Sequence, residues 1–512
     1  MKYSKTVVDV TEERVMKKLE NLNVSKAPGP DGISPRLLKE CKHELVTPLT
    51  QIFKKSLSEG KVIDVWKKAV VTPLYKKGRK SSVDSYRPVS LTSVPCKILE
   101  SIIKDQLVEY LQKHSIIAPS QHGFTSGRSC LTNLTEFLEF VTNQLDHKTP
   151  VDAIYLDFSK AFDKVPHKRL LLKLKGIGIK GQLLEWISDW LSNRSQQVQV
   201  KGSLSDWAMV KSGVPQGSVL GPILFLIYVN DIDEKVTCNI SKFADDTKIY
   251  ASVPDREAAR VMQNDLNKMY EWCKDWQMEF NVGKCKVMHF GKTNKCIQYF
   301  INNTELSSCT SEKDLGVIVC DNLKPSKHID EVVLKANRIL GLINRTVESK
   351  YKETVLPLYL QLVRPHLEYC VQAWRPYCKK DIEKLERVQK RAVRMIRNLK
   401  GTTYVEKLKE LNLFSLEKRR LRGDLIETFK ILKGINKVTP DRYFRKCALT
   451  REHRSHSLKL TADNLRTNNR KYFFSQRVVE NWNRLPQQAI DCETVPAFKH
   501  SLDSYLSLLE IT

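Results

Sequence analysis

Three aspartates carry the chemistry open to this sequence: Asp157 at the end of an apolar run, and the adjacent pair Asp245 and Asp246 further along. A carboxylate at the end of a buried strand is costly unless it is paired or binds a cation. Hard divalent ions take oxygen ligands, and Mg²⁺ is usually held by one or two carboxylates plus substrate phosphates. Two such ions about 4 Å apart stabilise the attacking and leaving oxygens of an in-line phosphoryl transfer. Lys76 opens the basic run Lys76–Lys80, and Arg87 lies in Ser85–Leu91. Basic side chains at strand ends near such carboxylates can hold a triphosphate through charge-assisted hydrogen bonds, the other reading being a solvated basic loop. Gln216 stands between Gly213 and Gly217 in a turn whose glycines let backbone approach a ligand closely. The chemistry implied is nucleotidyl transfer on a basic scaffold.

For these groups to meet, the chain must bring two strands side by side. Val236–Phe243 and Thr247–Val253 are rich in β-branched and aromatic residues, so Ala244, Asp245 and Asp246 read as the bend of a β-hairpin. Neighbours on a strand point to opposite faces, so one aspartate of the pair aims at a shared site and the other sits beside it. Val151–Phe158 reads as a buried strand ending on Asp157, and a new element starts at Ser159–Asp163. The three carboxylates converge if these strands are neighbours in one sheet. Helices are expected over residues 1–25, from the Pro/Gly turn Lys26–Ile33 to Ser58, and over Pro95–His114, and from the Gly-rich turn Gln121–Ser129 to Asp146. Strands are expected over Trp66–Tyr75, Lys286–Phe290 and Asp314–Val319, with a hairpin over 196–211. A buried helix to Asp231 and a helix over Ala258–Trp276 flank the aspartate hairpin. Gly176–Gly181 matches GxGxxG, but it follows one helical stretch and opens on another, so it is a helix–helix connection and not a dinucleotide site.

The net charge of +27, from 85 Lys and Arg against 58 Asp and Glu, points to polyanionic partners. The longest apolar run, Val219–Val229, is too short to span a bilayer and contains Pro222, so no membrane partner is expected. Thirteen cysteines without a CxxC pair suggest neither a disulfide framework nor a zinc ribbon, and fit an intracellular protein of the nucleus or cytoplasm. Cys447, His453 and His456 lie close in sequence but lack an obvious fourth zinc ligand. Past residue 325 the pattern is helical and more basic. Lys380, Lys384, Arg387, Arg391 and Arg394 recur at helical spacing and could track a phosphate backbone, the other reading being a solvated face. Arg470–Phe474, Arg477 and Trp482 interleave bases with aromatics, which suits either stacking on single-stranded bases or, the better reading, a small core.

The ordered stretches Lys26–Ile33 (KAPGPDGI), Ser85–Leu91 (SYRPVSL), Gln121–Ser129 (QHGFTSGRS), Tyr155–Asp163 (YLDFSKAFD), Gly213–Pro222 (GVPQGSVLGP), Phe243–Thr247 (FADDT), Phe280–Lys284 (FNVGK) and Leu315–Val317 (LGV) resemble the reverse transcriptase of non-LTR (LINE-like) retrotransposons of the jockey and chicken-repeat types. The resemblance covers about residues 20–325 and extends more loosely into the C-terminal region. It implies an α+β right-hand polymerase with fingers, a ferredoxin-like palm, a helical thumb and a basic helical C-terminal region. The divisions expected are an N-terminal helical extension with a fingers-side motif (1–56), fingers and palm (57–320), a thumb-like region (321–400) and a C-terminal domain (401–512).

The resemblance implies that Asp157 and Asp245 bind two Mg²⁺ ions, with Mn²⁺ as a substitute, and that Asp246 lies near the primer 3′-OH. Phe162 matches the aromatic gate that crowds a 2′-OH, Arg87 the fingers arginine on the triphosphate with Lys76 or Lys77 beside it, and Gln216 the glutamine at the incoming nucleotide. Lys284 matches the proposed general acid for pyrophosphate. Phe243 stands where many such enzymes have Tyr. The partners implied are an RNA template, a DNA primer or target, and dNTPs. Elements of this type usually carry an endonuclease ahead of the polymerase, whereas Met1 lies shortly before KAPGPDGI. The alternative expectation is therefore a catalytically idle nucleic-acid-binding remnant of a truncated element, although no lesion interrupts residues 26–317. An RNA-templated RNA polymerase is disfavoured by Phe162.

Overall fold

The computed structural model describes residues 4–508 except 77, 400, 402 and 448–455. The first segment is extended and leads into α1 (Glu12–Glu20), a shorter helix than the 1–25 pattern suggested. Thr11 starts it by accepting a hydrogen bond from Arg14 N–H, while Val8 and Val10 are already buried in extended chain. The Pro/Gly turn follows, then α2 (Pro35–Glu40) and α3 (Lys42–Ser58), which packs on α1.

β1 (Lys68–Tyr75) and β2 (Tyr86–Leu91) form an antiparallel pair in which Leu74 faces Arg87. The long α4 (Val94–Lys113) is buried on most of its circumference, and α5 (Cys130–Asp146) starts at a reciprocal capping box between Ser129 and Thr132. β3 (Val151–Leu156), α6 (Ala161–Lys164), α7 (His167–Gly176) and α8 (Gly181–Leu191) follow. The Gly176–Gly181 stretch does join two helices, and Lys5 hydrogen-bonds across it to Gly178 and Lys180. β4 (Ser195–Val200) runs parallel to β1, and β5 (Ser203–Leu204) and β6 (Ala208–Met209) pair antiparallel with β4, completing the first sheet in the order β2–β1–β4–β5.

The second sheet positions the aspartates. Between its strands come α9 (Gly221–Tyr228), β7 (Asn239–Phe243), β8 (Asp246–Ser252), α10 (Arg256–Asp275) and β9 (Lys286–Phe290). The short hairpin β10 (Phe300–Ile301) and β11 (Thr304–Glu305) precedes the edge strand β12 (Ser307–Ser308). The order is β12–β9–β3–β8–β7, with β3 antiparallel to both neighbours. Period-two alternation divides its faces. Ile154, Leu156, Ile249 and Val287 meet Phe225 and Leu266 on one side. Val151, Ala153, Tyr250, Met288 and Phe290 meet Phe137, Leu138 and Val141 on the other. Burial on both sides explains the near-continuous apolar run in β3. Its one charged residue, Asp152, is fully buried but accepts from Tyr299 Oη (2.7 Å) and Asn294 Nδ2 (2.8 Å) and contacts His289 Nδ1 (2.7 Å).

Asp314–Val319, expected as one strand, is a turn between two: β13 (Ser311–Asp314) and β14 (Val317–Cys320) pair antiparallel around Leu315 and Gly316. Helices follow: α11 (Ser326–Thr346), α12 (Lys352–Leu358), α13 (Arg364–Glu368), α14 (Val371–Trp374), α15 (Lys379–Arg394), α16 (Tyr404–Glu410) and α17 (Leu416–Leu432). α11 lies along α15 over a core of Ile329, Leu340, Leu385 and Val388. Phe429, Phe474, Trp482 and Phe498 join the cluster that contains Phe137 and Phe290, so packing runs across the boundary expected at residue 400.

The aromatic and basic run near the C-terminus is chiefly core. Phe474 and Trp482 are buried, Arg470 pairs with Glu139 (2.6 Å) and Arg477 with Asp424 (2.9 Å). His456 engages both ring nitrogens, with Trp482 O and Leu458 N, which leaves none for zinc; His453 lies outside the described residues. Among the described residues no helix is long and apolar enough to cross a membrane.

Candidate active site

The antiparallel register sets the site. Leu156 pairs with Thr247, so Asp157, the next residue, emerges beside the turn between β7 and β8. Phe243 pairs with Asp246, which leaves Ala244 and Asp245 as a two-residue turn. Ala244 has φ +58°, the positive value that primed hairpin turns require at their first position and that a non-glycine residue adopts under strain. A built support holds it there. Ala244 N–H donates to Gln121 Oε1 (3.0 Å), and Gly123 lies so close that a Cβ on it would stand 2.5 Å from Ala244 N. Behind the turn, the buried Lys242 ammonium is held by Asp233 and by Asn230 O, each at 2.9 Å. The Gly-rich turn of the sequence is thus a buttress for the aspartate hairpin. Sequence reasoning missed Gln121 in this role, and its one local signal was the glycine two residues on.

On the other side, Asn281 N–H donates to Asp157 O (2.7 Å) and Lys284 N–H to Asn281 O (2.8 Å). This brings Lys284 Nζ to 3.2 Å from Asp157 Oδ2, an ion pair without hydrogen-bond alignment. A cleft of about 340 Å³ opens here, lined by Asp157, Asp246, Lys284, Asn133, Tyr155 and Asp314. The Tyr155 hydroxyl and Asn133 Oδ1 face it buried and without partners, while Lys248 and Asp314 form a buried pair in its wall.

The electrostatics are those of a site short of positive charge. Burial, then the Asp157 carboxylate, push the Asp245 carboxyl above its ordinary value, opposed by Lys76 and Arg87. Burial, then Asp245, Asp314 and Asp157, push Asp246 up to about 6. Asp246 is open to solvent on one side. Mutually repelling carboxylates, with Asp157 Oδ2 facing the misaligned Lys284 ammonium and accepting no hydrogen bond, are the donor set of a hard cation. Among the described residues no three His, Cys, Asp or Glu side chains form a ready-made cage for a metal ion. The residues present therefore fit ions shared between one or two carboxylates and phosphate, and do not fit a closed structural site.

The proposed nucleotide-binding residues are linked by backbone bonds. Phe162, on α6, stacks on Phe225 with ring centres 4.4 Å apart, and Phe162 O accepts from Val214 N (2.8 Å). Gln216 O accepts from Ser90 N (2.7 Å), which ties its loop to β2, the strand of Arg87. Lys76 and Arg87 are exposed and act on Asp245 through their charge; Lys77 lies outside the described residues. The basic stripe on α15 is remote from this cluster in sequence and is not a uniform free face. Lys384 is paired with Asp330 (2.6 Å) and Asp381 (3.3 Å), Arg387 with Glu383 (3.2 Å), and Arg391 donates to Asn337 on α11. Lys380 and Arg394 are exposed.

Residues 75–319 match the family model of the reverse transcriptase (RNA-dependent DNA polymerase). The chain is 26% identical over 459 residues to the probable RNA-directed DNA polymerase from transposon X-element of Drosophila melanogaster, covering 84% of this chain and 50% of that protein. It is 28% identical over 421 residues to the RNA-directed DNA polymerase from mobile element jockey of Drosophila funebris, covering 78% of this chain and 45% of the relative. The chain thus spans about half the length of these curated relatives. The aspartate hairpin, β3 and β2 fall within the matched segment and β1 at its edge, so the candidate site lies in the part of the chain that is similar to a reverse transcriptase.

Proposed function

We propose that this chain is an RNA-directed DNA polymerase that extends a primer 3′-OH with dNTPs on an RNA template. The observation that carries the reading is the register that sets Asp157 beside Asp245 and Asp246 at the end of one sheet. In this reading the β12–β9–β3–β8–β7 sheet is the palm, the sheet containing β1 and β2 belongs to the fingers, α11 to α15 form the thumb, and the residues beyond 400 are the basic C-terminal region. Two Mg²⁺ ions, or Mn²⁺ in their place, held by Asp157 and Asp245 would supply the charge that stabilises the attacking and leaving oxygens.

The chain's own residues do the rest. Arg87 and Lys76 draw the triphosphate toward the carboxylates and offset their charge. Phe162, held by its stack on Phe225, is the ring that would crowd a 2′-hydroxyl. Gln216 contacts the base-paired nucleotide from the loop that also carries the bond to Phe162. Lys284 keeps an ammonium at the reacting centre as the proton donor to the departing pyrophosphate. Lys380, Arg391 and Arg394 hold backbone phosphates of the template–primer duplex.

The test is extension of a DNA primer annealed to a heteropolymeric RNA, with all four dNTPs and Mg²⁺. A product whose sequence copies the RNA, and which is lost when the template is digested beforehand with ribonuclease A, supports the reading. Salt-sensitive RNA binding with no product would favour the idle remnant.

A further inference from the structure

The loop carrying Gln216 is fastened to the segment after Phe162 by an unusually dense set of bonds. Gly213 N donates to Val165 O (2.9 Å), Val214 N to Phe162 O (2.8 Å), and Ser212 Oγ to Asp163 O (2.9 Å). The His167 ring nitrogen contacts Gly213 O at 2.8 Å. Gly213 has φ +88°, and a Cβ there would stand 2.6–2.8 Å from the Asp163 backbone, so the approach is as close as a chain allows. One side-chain bond completes the set: Gln216 Nε2 donates to Asp163 Oδ1 at 3.2 Å.

We infer that Asp163 is a positioning residue for the polymerase site, setting which end of the Gln216 amide is offered to the incoming nucleotide. An amide side chain has an acceptor end and a donor end of nearly equal shape, and free rotation interchanges them. An ionised carboxylate only accepts, so Asp163 commits Gln216 Nε2 and leaves the Oε1 acceptor and one N–H for the ligand. The partly buried Asp163 side chain is held by its own short helix and by the backbone bonds above, so the amide is fixed before a nucleotide arrives. Preorganisation of this kind lowers the cost of binding without touching the reacting atoms. Because Asp163 directly follows Phe162, the same segment orients the residue that crowds C2′ and the residue that meets the nucleotide.

This inference rests on the polymerase reading, and its test separates the two. Wild type, Asp163→Ala, Gln216→Ala and the double variant are compared for dTTP incorporation on poly(rA)/oligo(dT), with melting temperatures alongside. Asp163→Ala should raise KM for dTTP about tenfold with kcat within about twofold. The double variant should be no worse than Gln216→Ala, because the acid acts only through the amide. Asp163→Asn can offer Gln216 either end of its own amide, so it should recover KM only in part, to a value between wild type and Asp163→Ala. Penalties that multiply in the double variant, or an unchanged KM with a lowered melting temperature, would overturn the assignment and leave the polymerase intact. Wild type without incorporation would instead overturn the polymerase reading on which the assignment depends. If Asp163→Ala does not fold, Asp163→Asn in a Gln216→Met background replaces it. No further rise in KM is expected there, and a further rise overturns the assignment.

Discussion

The meeting of Asp157 with Asp245 and Asp246 was legible in the sequence because a carboxylate at the end of an apolar run, or at a hairpin bend, needs a reason. Their supports were not. Gln121 reaches Ala244 from more than a hundred residues upstream, and Asp163 meets Gln216 across a distance no local pattern reports. The basic stripe was legible as a periodicity but not as an arrangement, since Asp330 and Asn337 on another helix engage two of its members. At this scale Phe162→Ala is the informative change. It removes the ring proposed to crowd C2′ and should lower the preference for dTTP over UTP by about a hundredfold, read as the ratio of kcat/KM values. An unchanged ratio would mean that another group excludes the ribose hydroxyl. Gly213→Ala is the second. Its Cβ would meet the Asp163 backbone in a conformation that favours glycine, so the Gln216 loop must move. The expected result is a loss of incorporation of about tenfold or more with a melting temperature lowered by several degrees.

Elements were read well where one signal dominated. α5 ends at Asp146 as the pattern indicated, and the β7–β8 hairpin bends at the aspartates. Elements were misread where a turn needed no Pro or Asn-Gly signal. The β13–β14 turn uses Leu315 at φ +44°, which composition alone does not announce. The junction of β14 with α11 yields a pH prediction. His328 on α11 is buried, accepts from Ile318 N (3.2 Å) and lies edge-on to Trp374. Burial lowers its pKa from the usual 6.5 to about 4. Below pH 6.5 the unfolded chain takes up a proton that the folded chain refuses until about pH 4, so stability present above pH 6.5 is lost as pH falls through that window. The loss amounts to about 3 kcal/mol at most. His328→Asn keeps an acceptor near Ile318 and cannot titrate. Its urea midpoint should fall less than the wild-type midpoint between pH 6.5 and pH 4, and parallel curves would contradict the assignment.

For the whole molecule, the net charge of +27 and the match to a reverse transcriptase are what the proposed grip on nucleic acid rests on. The composition showed the excess of positive charge, while the shared core did not show: Phe429, Trp482 and Phe498 are ordinary apolar positions until Phe137 and Phe290 are seen among them. Binding to single-stranded RNA should weaken with salt. Replacing Lys380, Arg391 and Arg394 together by Ala should reduce the slope of log K against log salt by about 2, at roughly 0.7 per phosphate contact. Lys384→Ala should change it little, since Asp330 and Asp381 already match its charge. Equal effects from Lys384 and from its neighbours would mean that this helix meets nucleic acid in another orientation. The central claim is that synthesis happens where β3 meets the aspartate hairpin, and incorporation of dTTP on poly(rA)/oligo(dT) with Mg²⁺ by wild type and Asp245→Ala tests it most directly. The account predicts extension by wild type and a loss of about a thousandfold in the variant, with the same melting behaviour; equal extension by both would place the chemistry elsewhere.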